Sequence, residues 1–211
     1  MRNLIIIGAG DFGREAMWVA ERMNKESPAW NILGFVDDGK VGEMVDGYPV
    51  LGNVDWLCAY KHEVCVTCAV ANGKVKESIW KRLDGCAHIQ PASLIDPVAI
   101  IGKNCVIGDG CIICAGTVLT VNVSLGKSCI INLNCTIGHD SVLMDFCTVH
   151  PGSSISGKAT VGKRVLMGTG TRITQGLQIA QDTTLGAGAV IVKDITESGT
   201  YVGVPARKIK E

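Results

Sequence analysis

From Ile89 onward an aliphatic residue stands at every sixth position, through Ile95, Ile101 and Ile107 to Leu185 and Ile191, 18 hits without a slip. Four positions after each hit the residue is mostly small or β-branched, as at Ala99, Cys105, Thr117, Cys129, Ser141 and Ala159. Glycine often follows the hit directly, as at Gly102, Gly108, Gly138, Gly168 and Gly186. This pattern predicts a solenoid of short parallel strands. Each hexad forms one flat side, three hexads form a triangular coil of about 18 residues, and the aliphatic points into the prism beside the small residue.

Before residue 88 the periodicity is different. Leu4–Ile7, Ile32–Val36 and Val64–Val70 are apolar, β-branched runs, and Asp11–Met23, Val54–Tyr60 and Lys74–Leu83 carry helix formers between and after them. Alternating strands and helices predict a small parallel α/β sheet with crossover helices, a Rossmann-like βαβαβ subdomain. The reading is therefore two domains, residues 1–88 and 89–211.

Composition agrees with that division. Of ten aromatic residues only Phe146 lies between Ile89 and Ile191, and no glutamate lies between Glu77 and Glu197. A prism one strand wide has no room for rings. The 20 basic and 20 acidic side chains cancel, which leaves no footprint for nucleic acid. No apolar run reaches the ~20 residues of a membrane span, and Leu4–Ile7 is too short for a signal-peptide core. The expectation is a cytoplasmic protein. In that setting the ten cysteines predict no disulfide framework. Five fill the small inward slot as small hydrophobes. Cys65-x-x-Cys68 lies in an apolar strand without a second pair at zinc spacing, so no metal site is expected.

Residues 18 apart stack about 4.8 Å apart along such a solenoid. Gly157 therefore stacks over His139, which is followed by Asp140; Asn132, His150 and Gly168 form a second column, and Pro151, Thr169 and Ala187 a third. A histidine beside a carboxylate, with a bare backbone amide one coil away, has the parts of a general base and an oxyanion donor. His139 falls at a corner of the coil and should point outward. His62 and His88 read as structural. At the other end of the chain, Gly8-Ala9-Gly10-Asp11-Phe12-Gly13 follows a strand and opens a helix, the context of a phosphate site. Asp37 and Asp38 stand where a ribose-binding acid could lie. Fewer than 90 residues supply half of a doubly wound sheet, which suits a mononucleotide or sugar nucleotide better than NAD.

The glycine motif, Gly34-Phe35-Val36-Asp37-Asp38, the hexad array with Asn132 through Gly138-His139-Asp140, and the ending Tyr201-Val202-Gly203-Val204-Pro205-Ala206-Arg207 together resemble the NeuD/PglD family of sugar O- and N-acyltransferases across residues 1 to 210. The resemblance implies a left-handed parallel β-helix, a homotrimer with active sites between subunits, and transfer of an acetyl group from acetyl-CoA to a sugar amine or hydroxyl, often nucleotide-linked, without a metal. By that resemblance His139 is the base, Asp140 orients it, Asn132 lines the acetyl or acceptor position and the Gly157 amide holds the carbonyl oxygen. Gly168, Thr169, Gly186 and Ala187 face the pantetheine arm. Gly8, Gly10, Asp11, Phe12, Gly13, Asp37, Asp38 and His150 fall to the acceptor.

Two departures bear on the acceptor. Members acting on UDP-linked aminosugars often carry a histidine in the glycine loop, where this chain has Asp11-Phe12, and Asp11 would repel a diphosphate. The family often has a second histidine nine residues after the base; here that residue is Thr148. Arg207, Lys208 and Lys210 offer cations to CoA phosphates or form a solvated tail. Competing readings are a non-catalytic nucleotide-sugar-binding trimer and a γ-class carbonic-anhydrase-like zinc enzyme, which needs three zinc-binding histidines. An NAD-linked oxidoreductase would rest on the glycine motif alone.

Overall fold

The computed structural model describes residues 1–209. Its first unit runs β1 (Arg2–Ile7), α1 (Asp11–Glu26), β2 (Trp30–Val36), β3 (Met44–Val45), β4 (Tyr48–Gly52), α2 (Val54–Ala59), β5 (Val64–Cys68), α3 (Gly73–Leu83) and β6 (Ile89–Pro91). These strands form one sheet in the order β3-β4-β2-β1-β5-β6. The β3–β4 hairpin turns at Asp46-Gly47, with φ of 48° and 84°, the left-handed pair that a two-residue hairpin loop demands. Buried Leu4 and Ile6 face α1, while Ile5 and Ile7 face α2 and α3, so this near-continuous apolar strand is covered on both sides.

β6 pairs in parallel with β5, Val64 against Ile89. The first unit's sheet thus extends through Pro91, past residue 88. Ile89, the first of the hexad hits, packs in that unit's core and not in the prism.

From Leu94 the chain winds as a left-handed parallel β-helix. The first face stacks strands at Leu94–Ile95, Ile112–Ile113, Ile130–Ile131, Thr148–Val149, Leu166–Met167 and Thr183–Leu185; the second stacks those at Ile100–Ile101, Val118–Leu119, Thr136–Ile137, Ser154–Ile155, Arg172–Ile173 and Val190–Ile191; the third stacks Val106–Ile107, Ser124–Leu125, Val142–Leu143, Thr160–Val161 and Gln178–Ile179. Pairing is in register 18 residues apart, Ile113 with Ile131 and Leu119 with Ile137. The inward aliphatics and Cys111, Cys129, Cys135 and Cys147 form one hydrophobic core. Ile101, in the first coil with none beneath it, stays 36% exposed. A hairpin of Gly199–Val202 and Arg207–Lys208 extends the first face at the other end; Lys210 lies outside the described residues.

The two units share packing. Outward Leu94, Ile112 and Ile130 of the first face join Ala16, Met17 and Ala20 of α1 in a single cluster. Arg22 Nε donates to the buried Asp96 carboxylate at 2.7 Å, pinning α1 to the first coil. All ten cysteines are free, and Cys65 and Cys68 are buried within β5. Burial pushes the Cys68 thiol up to about 11, the inert end of thiol behaviour. No helix among the described residues is long and apolar enough to cross a membrane.

Candidate active site

The glycine loop is built by close approach. A Cβ on Gly13 would overlap the Gly8 carbonyl oxygen, so only glycine lets α1 start against the end of β1. Asp37 closes the loop from β2: Oδ2 accepts from Ala9 N–H and Oδ1 from Gly39 N–H, each at 2.8 Å. Lys40 Nζ donates to the Ala9 carbonyl at 3.0 Å, a cation on the loop that no motif signals. No side chain among the described residues caps α1 at Gly10, which leaves first-turn amides open to an anion. Asp11 is exposed beside them, and Phe12 packs against the apolar cluster that α1 shares with the first face of the solenoid. Asp38 turns elsewhere, accepting from Val54 N–H at the start of α2 and from Arg82.

His139 and Asp140 sit on the edge between the second and third faces. The tight corner puts Asp140 in the left-handed region, φ 58°, a conformation aspartate tolerates. His139 Nδ1 lies 2.8 Å from Asp140 Oδ2. Hydrogen bonding to His139 and then to Asn122 holds the Asp140 carboxyl below the usual carboxylate range. An ionised carboxylate only accepts, so in the neutral imidazole Nδ1 carries the proton and Nε2 presents a lone pair. That lone pair lies over Gly157, where a Cβ would sit 2.5 Å from Nε2. The flanking amides of Ser156 and Lys158 bond to Ile173 and His139 carbonyls, whereas the Gly157 N–H meets no acceptor among the described residues. A lone-pair base and an open amide donor thus stand one coil apart.

Asn132, His150, Gly168, Thr169, Gly186 and Ala187 occupy a different edge, between the first and second faces. The Gly168 and Gly186 amides are engaged by Leu185 and Tyr201 carbonyls. Those of Thr169 and Ala187 have no acceptor among the described residues, so the corner leaves an open N–H in each of these two coils. Asn132 is buried, with Oδ1 accepting from Leu133 N–H at 2.7 Å. Burial lowers the His150 pKa, against the opposing charge of Glu15 on α1. This edge therefore lies beside α1, and one whole face separates it from His139. A single chain does not bring the two groups together.

The structure accounts for the histidine departure at Thr148. This residue is buried under α3, accepts from the fully buried Lys76 Nζ at 3.0 Å and donates to the Ala71 carbonyl at 2.7 Å. Lys76 also reaches the Cys147 carbonyl at 3.2 Å. Its sequence context, a polar position in an amphipathic helix, gives no hint of burial.

A short-stranded β-helix with an α/β unit on its first face, and with a histidine–carboxylate pair over a bare amide, defines the class of hexapeptide-repeat acyltransferases. The description "PglD N-terminal domain" matches residues 3–83, and "Bacterial transferase hexapeptide (six repeats)" matches residues 86–120. The acetyltransferase domain of PglB from Neisseria gonorrhoeae FA1090 is 31% identical, with a TM-score of 0.89, over 99% of this chain and 100% of that one; it has also been solved with acetyl coenzyme A. PerB from Caulobacter crescentus, in complex with CoA and GDP-perosamine, is 26% identical with a TM-score of 0.86 over 99% of this chain and 97% of that one. GDP-perosamine N-acetyltransferase of Escherichia coli O157:H7 is 28% identical over 97% of this chain and 95% of its own length. The chain belongs to the NeuD/PglD family of sugar acyltransferases.

Proposed function

We propose that this protein transfers the acetyl group of acetyl-CoA to the amino group of a nucleotide-linked amino sugar, with His139 as general base. The observation that carries the reading is His139 Nε2 lying over Gly157, whose side-chain-free backbone keeps both the base and the amide accessible. The acceptor amine attacks the thioester carbonyl carbon while Nε2 takes a proton from the nitrogen. The carbonyl π electrons move to oxygen, where the Gly157 N–H donates to the anion. Collapse of the tetrahedral intermediate breaks the C–S bond, and the imidazolium returns its proton to the CoA thiolate. Asp140 stabilises the imidazolium and fixes its tautomer.

The acceptor nucleotide binds at the glycine loop, and the pantetheine arm runs along the Thr169 and Ala187 amides. Those groups lie an edge away from His139, so the complete site joins two copies in a trimer. The exposed apolar residues Ile100, Val106, Val121 and Val142, on the second and third faces and the edge between them, support such contact. The resemblance to PglB and PerB, solved with acetyl-CoA and with CoA plus GDP-perosamine, supports the substrates. Turnover of acetyl-CoA against UDP- and GDP-linked amino sugars tests the reading. Saturable acetyl transfer to one of them is expected; binding of nucleotide sugar without any transfer would leave a scaffold protein in its place.

A further inference from the structure

We propose that Asn122 is a positioning residue for the His139–Asp140 pair, acting through the Asp140 carboxylate; this rests on the reading of His139 as the base. Asn104, Asn122 and Asp140 stack one per coil on the same edge, with φ of 58°, 56° and 58°. Asn104 Nδ2 donates to Asn122 Oδ1 at 3.2 Å, and Asn122 Nδ2 donates to Asp140 Oδ1 at 2.9 Å. The remaining oxygen, Oδ2, receives His139 Nδ1 at 2.8 Å. The ladder is polar in one direction. Asn104 occupies the Asn122 carbonyl oxygen, so the Asn122 amide group is turned with its N–H toward Asp140, and the carboxylate is held through both oxygens. Held at one oxygen only, it would be free to rotate and carry the imidazole with it.

The left-handed conformation does not by itself call for asparagine. Lys158, next in the same column, and Phe146, at the third edge, adopt φ of 60° and 64°. Asparagine is distinguished here by its two-sided amide. The titratable groups around Asp140 are His139 and Lys158, and Asn122 is its other hydrogen-bond partner, so a change at 122 is read against a short set of neighbours.

The test uses Asn122→Ala and the near-isosteric Asn122→Asp in the full chain, with His139→Ala as a separate control. Carbon-13 NMR of the Asp140 carboxyl is followed against pH, together with kcat and the acetyl-CoA KM using GDP-perosamine as the probe acceptor. With Asn122→Ala the Asp140 titration moves up, and kcat falls about tenfold or more while the KM for acetyl-CoA stays within twofold. Asn122→Asp sets a second carboxylate against Asp140 and moves its titration up further. An Asp140 titration unchanged in both variants overturns the proposal, as does kcat within twofold of the parent. If His139→Ala itself keeps full activity, the base assignment has failed instead, and the NMR shift still reports whether Asn122 holds the carboxylate.

Discussion

Replacing Gly157 with alanine places one methyl group where the reaction is proposed to occur. The added Cβ would stand 2.5 Å from His139 Nε2, 2.7 Å from Cε1 and 2.8 Å from Cδ2, and non-bonded carbon needs about 3.5 Å. The ring or the coil must therefore yield by about 1 Å, and displacement of that size at a reacting group costs on the order of a hundredfold in rate. Crowding of the Gly157 amide, as an oxyanion donor, adds a loss that for one such donor is about 10²–10³. The fold has no matching reason to suffer. Gly157 is not among the positive-φ residues, so alanine fits its backbone, and removing glycine freedom from the unfolded chain is worth about 0.4–1 kcal/mol in the opposite direction. Steady-state kinetics with acetyl-CoA and an accepted amino sugar, alongside thermal unfolding, should give kcat/KM at least about a hundredfold down with Tm within a few degrees of the parent. Kcat/KM within threefold of the parent would refute the placement of the reacting atoms over this glycine.

Three further outcomes are expected. Asp140→Asn keeps the side chain's shape but removes the charge that sets the imidazole tautomer, so kcat falls by about 10²–10⁴, read in the same assay with circular dichroism as the fold control. Mixing His139→Ala with Ala187→Trp, each inactive alone, restores activity in about one quarter of the sites if each site joins one edge of two copies, and none if a site lies within one chain. Lys76→Met tests the buried amine. Burial lowers its pKa from 10.5, so between the folded-state value and 10.5 the unfolded chain binds more protons than the folded one, and this group's penalty, full below that window, fades as pH rises through it to 10.5. The urea midpoint difference between Lys76→Met and the parent should therefore shrink from pH 7 to pH 10; a constant difference would contradict it.

Much of this architecture was legible because one physical rule repeats. The six-residue period sets inward and outward positions for nearly a hundred residues, and arithmetic on 18 brought His139 to Gly157 without any contact being known. The same arithmetic joins Asn122 to Asp140, since they also differ by 18, but asparagine in a turn has an ordinary explanation and does not by itself mark a ladder. Periodicity failed at Ile89, which has the right residue type for the prism but is claimed by the edge of the α/β sheet through β5. The β3–β4 hairpin escaped although Asp46-Gly47 is a strong turn signal, because its two-residue strand carries little pattern. Burial of Lys76 and the turning of Asp38 to α2 depend on how separate units pack, which local sequence does not encode. Edge assignment had the largest functional consequence. Hexad counting gives the columns directly, and only with the faces in hand does it become plain that Asn132 and Ala187 lie a face away from His139.

The most direct test of the central claim compares the parent protein with His139→Asn, which preserves side-chain hydrogen bonding near Asp140 but removes the basic Nε2. Acetyl transfer from acetyl-CoA to a nucleotide-linked amino sugar is followed by product formation, and acetyl-CoA binding by calorimetry. Loss of at least about a thousandfold in kcat with acetyl-CoA affinity unchanged is predicted. Turnover within tenfold of the parent would contradict the assignment of His139 as the base.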